Sequence, residues 1–365
     1  MRLPLSLLIL VPATLAACDA VVRMVLWGAN VGRGFSPPPT SGGRAEATPY
    51  MKLLIVVPAR AEGERLQSTL ASATGQHADV LLLLDGDDAG VNAHGARVVV
   101  KSPAGPSKAA ALAWLAREHR ALLEPYEAIL VLDAGSRLEP DFFAHFSWPD
   151  DATAVQTFLR GSTEGVGAAA AEAERIAQTT EDRGREALGW NVRLRGTGSA
   201  FTTKAFLELM PRLDTRIEDL EATLLLTASG DRVRMSEAVV LDEKPEGMTS
   251  AASQRARWLL GRYELLARRA PAFGRVIARR PLEGLAFVVE IFGRPLSLMA
   301  PLRIAAAILL IRRSHPIFGG ILALTVASDV ALHTKASPAA VLRLGGSWLM
   351  ALLLAPRALV RWMRP

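Results

Sequence analysis

Lys52-Leu53-Leu54-Ile55-Val56-Val57-Pro58 is a continuous apolar, β-branched run ended by a proline, and residues 62–73 after it have helical character. The reading is strand, loop and helix. The scheme recurs. Val80-Leu81-Leu82-Leu83-Leu84-Asp85 is a second strand, residues 96–101 a third, residues 108–120 a helix and residues 128–133 a fourth strand. Strands without polar alternation, interleaved with helices, predict an α/β fold with a mostly parallel sheet covered on both faces. Two of these strands end in carboxylates, Asp85 and Asp133. Ligands of open α/β sheets sit outside the carboxyl ends of the strands, so acidic groups there suit a metal ion or a ribose. The plainer alternative is that each Asp starts a turn, as Asp-Gly at positions 85 and 86 commonly does.

The rest of the chain is greasier than a soluble protein of 365 residues, with 50% hydrophobic and only 21% charged positions and a mean hydropathy of +0.22. The excess is uneven. Residues 79–246 have mostly ordinary globular composition, whereas the first thirty residues and everything past Pro281 are poor in charge. This predicts a soluble domain between membrane segments. Residues 3–27 are interrupted only by Asp19 and Arg23, enough to cross about 30 Å of hydrocarbon as a helix. A rival reading takes Leu15-Ala16-Ala17-Cys18 as the lipobox of an exported lipoprotein. Arg23 near the end of the segment, with Arg33 and Arg44 after it, stands against Arg2 before it, which favours an outside N-terminus and a cytoplasmic central domain. Residues 36–49, with four prolines, read as a linker.

Toward the other end, residues 282–311, 317–333 and 341–360 are three apolar stretches. The first carries Glu290, Arg294, Pro295, Pro301 and Arg303, and is compatible with a broken span, an interfacial helix followed by a span, or a hairpin. The formal charge is +6, and the basic surplus gathers at Arg255, Arg257, Arg262, Arg268, Arg269, Arg275, Arg279 and Arg280. Such a cluster beside apolar segments suits membrane lipid headgroups or phosphates. No nucleic-acid partner is expected, since no recognised motif or aromatic interleaving accompanies the cluster. One cysteine excludes a disulfide framework.

Three loops and three later motifs carry a resemblance. Val57-Pro58-Ala59-Arg60-Ala61-Glu62 follows the first strand, Leu84-Asp85-Gly86-Asp87-Asp88 the second, and Leu130-Val131-Leu132-Asp133-Ala134-Gly135 the fourth. Gly196-Thr197-Gly198-Ser199-Ala200-Phe201, then Glu218-Asp219, then Gln254-Arg255-Ala256-Arg257-Trp258 come after them. Together they resemble the membrane-bound family 2 glycosyltransferases related to bacterial cellulose, hyaluronan and poly-N-acetylglucosamine synthases. The last motif is a QxxRW match.

The resemblance implies a glycosyltransferase A-type nucleotide-binding sheet with an N-terminal transmembrane helix and C-terminal transmembrane or interfacial helices. The implied division is an anchor (1–30), a linker (31–50), a cytoplasmic glycosyltransferase domain (51–250), QxxRW and basic interfacial helices (251–281), and a C-terminal transmembrane region (282–365). The implied setting is the bacterial inner membrane. Asp219 matches the catalytic base. Glu62, Asp85, Asp87, Lys108, Asp133 and Arg257 match donor-binding positions, and Gly196, Thr197, Gly198, Gln254 and Trp258 acceptor-binding ones. The partners implied are a nucleotide-sugar donor, UDP-linked by preference, and a lipid or saccharide acceptor. Asp133 matches the first carboxylate of the DxD motif, which implies Mg²⁺ or Mn²⁺, but Gly135 replaces the second carboxylate and puts metal dependence in question. That departure motivates a second reading, a catalytically weak sugar-nucleotide-binding partner subunit of a polysaccharide synthase.

Overall fold

The computed structural model describes residues 5–32, 51–60, 62–76, 78–86, 91–161, 165–242, 248–293 and 296–332. They divide into two compact units, one holding Phe35–Gly161 and Asn191–Glu243, the other Met1–Gly34, Ser162–Trp190 and Lys244–Pro365. Asp87, the linker at 36–49 and the apolar stretch at 341–360 lie outside the described residues.

The first unit is built on strand β1 (Leu53–Ala59), every residue of which is buried. A strand can be apolar on both faces only where both are covered. Strand β1 pairs in parallel with β2 (Asp79–Asp85) on one side and β4 (Ala128–Val131) on the other, and β3 (Arg97–Lys101) adds in parallel to β2. The helix Glu64–Thr74 buries Leu66, Thr69, Leu70 and Ala73, the helical repeat of a single face. Leu66 and Leu70 join Ile55, Val57, Leu82 and Leu130 in one core cluster. Each such side chain fully withdrawn from water contributes roughly 1.5–3 kcal/mol before entropy is counted. The helix Lys108–Glu118 starts at a Ser107 cap whose hydroxyl accepts from the Ala110 N–H at 3.2 Å.

The expected parallel pattern holds through β4 and then changes. Strand β7 (Ser199–Thr202) inserts antiparallel between β4 and β6 (Ala154–Arg160). Strand β8 (Val233–Asp242) runs parallel to β6 with a register shift between Thr157 and Phe158, and β5 (Ser136–Leu138) closes the edge antiparallel to β8. The order is β3-β2-β1-β4-β7-β6-β8-β5, so the sheet is mixed.

The helical unit contains Leu5–Val31, Gly165–Ile176 continued by a π-helical turn at Ala177–Asp182 and by Arg183–Ala187, then Met248–Arg268, Ala270–Arg279, Pro281–Gly293, Leu296–Arg312 and Pro316–Leu332. The ambiguous stretch at 282–311 is therefore two helices, neither of which reaches 18 residues. Among the described residues one helix is long and apolar enough to cross a membrane, through Ile9–Val31, and it runs unbroken past Cys18. The unit buries charged side chains beside apolar ones such as Leu26, Phe287 and Ile291. Arg23 and Arg303 are among its most deeply buried side chains, while Leu282, Ile317, Phe318 and Leu324 are mostly exposed. Arg23 pairs with Asp19 on its own helix and with Asp329 of Pro316–Leu332, which also takes Arg303. The basic helix Ala270–Arg279 buries Ala272, Phe273 and Val276 and turns Arg275 and Arg279 outward.

Candidate active site

The first unit gathers its titratable groups at the carboxyl ends of the parallel strands. Asp85 closes β2 and is only 6% exposed. It is already engaged, with Arg60 from the end of β1, with Lys101 at 3.5 Å from the end of β3, and with the Gly105 N–H at 2.7 Å. Burial alone would raise its pKa, but the Gly105 hydrogen bond and Arg60 outweigh burial and hold the carboxyl below its ordinary value. Asp85 thus ties three loop ends together. Neither Arg60 nor Lys101 is a position at which the sequence places a site residue.

Two residues past β4, Asp133 meets Lys108. The Lys108 Nζ lies 2.8 Å from Asp133 Oδ1, 3.0 Å from Glu218 Oε1 and 3.0 Å from the Gly196 carbonyl. Burial works against the ammonium, but Asp133 and Glu218 outweigh it and keep the lysine protonated well above its usual range. Glu62 is half-buried at the start of the Glu64–Thr74 helix. Its pKa is raised by burial and by Asp133, against the pull of Arg65, so it faces the same charge cluster.

Asp219 follows Glu218 in the first turn of the helix Glu218–Ser229, with Oδ1 accepting from the Leu220 N–H at 2.8 Å. Burial, aided by the neighbouring Glu218, pushes its pKa up to about 6. A carboxyl poised near neutrality is what a general base requires. Lys108, Gly196, Glu218 and Asp219 form the polar end of a small cavity whose floor is Leu112, Leu194, Phe201, Met210 and Leu213.

The Gly196-Thr197-Gly198 turn is held by side chains. Thr197 Oγ1 accepts from the Asp133 N–H at 3.0 Å and donates to Ser136 Oγ at 3.1 Å. Gly196 and Gly198 have φ of 82° and 64°, values that side-chain-bearing residues rarely adopt. A methyl group on Gly196 would stand within 4.0 Å of Lys108, Asp219 and Asp133, so the glycine leaves open the space these three groups face. Beneath the turn, fully buried Gln156 accepts from the Arg195 N–H at 2.9 Å and the Ser199 hydroxyl at 2.8 Å, and donates to the Thr197 carbonyl at 3.0 Å. Gln156 is a positioning residue that hydropathy does not reveal, because a polar residue in a strand reads as an interruption.

Gln254, Arg257 and Trp258 lie on the helix Met248–Arg268 of the helical unit, with Arg257 exposed and the other two half-buried. The structure therefore brings together Glu62, Lys108, Asp133, Gly196, Thr197, Gly198 and Asp219, and places Asp85 in its own cluster at the end of β2.

The donor set at Asp133 suits a protein-held divalent ion poorly. A calcium ion takes about six to eight oxygen ligands, and a magnesium ion held by only one or two carboxylates draws the rest from waters and substrate phosphates. Here Asp133 Oδ1 already carries an ammonium, and no group of three or more His, Cys, Asp or Glu able to hold a metal occurs among the described residues.

No family model matches the sequence, and no curated protein matches it. Solved structures do, and the fold of this chain is that of a glycosyltransferase. One is a mannosyltransferase from Pyrobaculum calidifontis in complex with GDP-Man and Mn²⁺. It is 15% identical with a TM-score of 0.57, over 94% of this chain and 97% of that one. Another is TarS of S. aureus, 14% identical with a TM-score of 0.36, over 78% of this chain and 54% of that one.

Proposed function

We propose that the protein is an inverting family 2 glycosyltransferase that moves a sugar from a nucleotide donor, UDP-linked by preference, to a lipid or saccharide acceptor at the cytoplasmic face of a membrane. The observation that carries this reading is that Asp219, a carboxyl with a pKa near 6, lines the same small cavity as the charged ammonium of Lys108. In the reaction an acceptor hydroxyl oxygen bonds to the anomeric carbon while the bond from that carbon to the diphosphate breaks. The hydroxyl proton passes to Asp219, and the electron pair leaves on the diphosphate. Lys108 stabilises that charge in a partly desolvated site. Glu62 and Asp133 serve the nucleoside side of the donor, and the Gly196 turn admits the acceptor. Arg257, Gln254 and Trp258 are proposed for diphosphate and acceptor contact on the strength of the QxxRW resemblance.

The exposed large apolar residues of the helical unit, among them Leu282, Ile317, Phe318 and Leu324, support a lipid-facing location, since large exposed apolar patches mark interaction surfaces. On this reading the domain is cytoplasmic, where sugar nucleotides are found. A reporter inserted near Gly42 should then give a cytoplasmic signal, and a periplasmic one would sink the placement.

The test of function is a panel of radiolabelled nucleotide sugars offered to the purified full-length protein in detergent. One donor should be transferred or slowly hydrolysed. Binding without turnover of any donor would favour the partner-subunit reading, to which Gly135 in place of a DxD carboxylate points. Absence of binding to every donor would overturn both.

A further inference from the structure

We propose that Lys108 is the resident cation of the site, its ammonium joining the surrounding oxygens as a divalent ion would. Three observations converge on this. The Nζ has three oxygen acceptors within 3.0 Å, from Asp133, Glu218 and the Gly196 backbone, which satisfies all of its donors. These acceptors come from three separate segments, the loop after β4, the Gly196 turn and the Glu218–Ser229 helix, so the lysine joins them as a bound ion would.

The third observation is the backbone at Gly135. Its φ is 98°, and its N–H is tied to Thr69 Oγ1 at 2.8 Å. A side-chain-bearing residue is strained there, so the absent second carboxylate is built into the turn and is more than a side-chain replacement. Asp133 and Glu218 bring two negative charges to a single ammonium, so the lysine offsets one of the two carboxylates. Lys108 opens its own helix, where the helix dipole disfavours a cation, so the two carboxylates are what hold it in place.

The experiment titrates Mn²⁺ alone into the donor-free, full-length protein in a neutral detergent and follows the free-ion EPR signal. The wild type should bind no more Mn²⁺ than Asp133→Asn does. Lys108→Met should expose two carboxylates and a carbonyl, a hard-oxygen set, and gain one Mn²⁺ site at least about tenfold tighter than any wild-type site. Adding Asp133→Asn to Lys108→Met should abolish the gain. A stoichiometric wild-type site that disappears in Asp133→Asn would overturn the proposal. So would a Lys108→Met protein that melts cooperatively yet gains no site. Where Lys108→Met does not fold, the comparison of wild type with Asp133→Asn decides alone. Ion binding without donor is read whether or not the protein transfers a sugar, so failure here is distinct from failure of the glycosyltransferase reading.

Discussion

Asp219→Asn is expected to reduce transfer by about 10²–10⁴, the usual cost of losing a positioned general base. Donor affinity measured by calorimetry should stay within a few-fold, because the base acts on the acceptor hydroxyl. Wild-type transfer should rise with pH as Asp219 ionises through about 6 and level off above it. The same group makes a stability prediction of definite sign. A carboxyl whose folded pKa lies above its unfolded value, about 3.9, binds more protons folded than unfolded between those two values. Its contribution therefore falls as pH rises from about 4 to about 6, and above that range the folded protein carries a poorly solvated charge. Asp219→Asn should melt at a higher temperature than the wild type at pH 8 and lose that advantage near pH 4. Near-normal turnover, or lower stability at pH 8, would remove Asp219 from the role of base.

Gln156→Leu is expected to be the most damaging single change away from the charged groups. Leucine fits the volume but strands the Arg195 N–H, the Ser199 hydroxyl and the Thr197 carbonyl in a dry interior. Each buried group left without a partner costs roughly 1–3 kcal/mol. Two or three together approach the lower part of the 5–15 kcal/mol that holds a typical domain folded. Where the variant still folds, the Gly196-Thr197-Gly198 turn loses its floor. Transfer should then fall with a rise in acceptor KM, while donor affinity changes less. Urea denaturation gives the stability and acceptor titration the split. A midpoint indistinguishable from wild type would show that the turn does not depend on Gln156.

These two residues mark how far the sequence could be read. Strands β1, β2 and β4 are legible because they are apolar without interruption, and Asp85 and Asp133 stand out because each follows such a run. Asp219 is legible through its motif. The second half of the sheet is not, because its strands bury polar residues, among them Gln156, Thr157, Ser199 and Ser236. An inward-facing glutamine reads as a break in a strand until its partners are known. The engagement of Asp85 by Arg60, and of Lys108 by Asp133 and Glu218, joins residues 25 or more positions apart. No local period encodes such pairs, and they decide whether a carboxylate is open to a ligand or already spoken for.

The ion pairs inside the helical unit bear on how the chain is made. Arg23 and Asp329 are 306 positions apart, and at ribosomal speeds of about 5–20 residues per second the first waits roughly 15–60 s for the second to be synthesised. Through that interval the neighbour available to Arg23 is Asp19, one turn away on the same helix. The first helix therefore enters its surroundings as a self-neutralised segment. Its partnership with Asp329, which also draws in Arg303, is a late event in the life of the nascent protein.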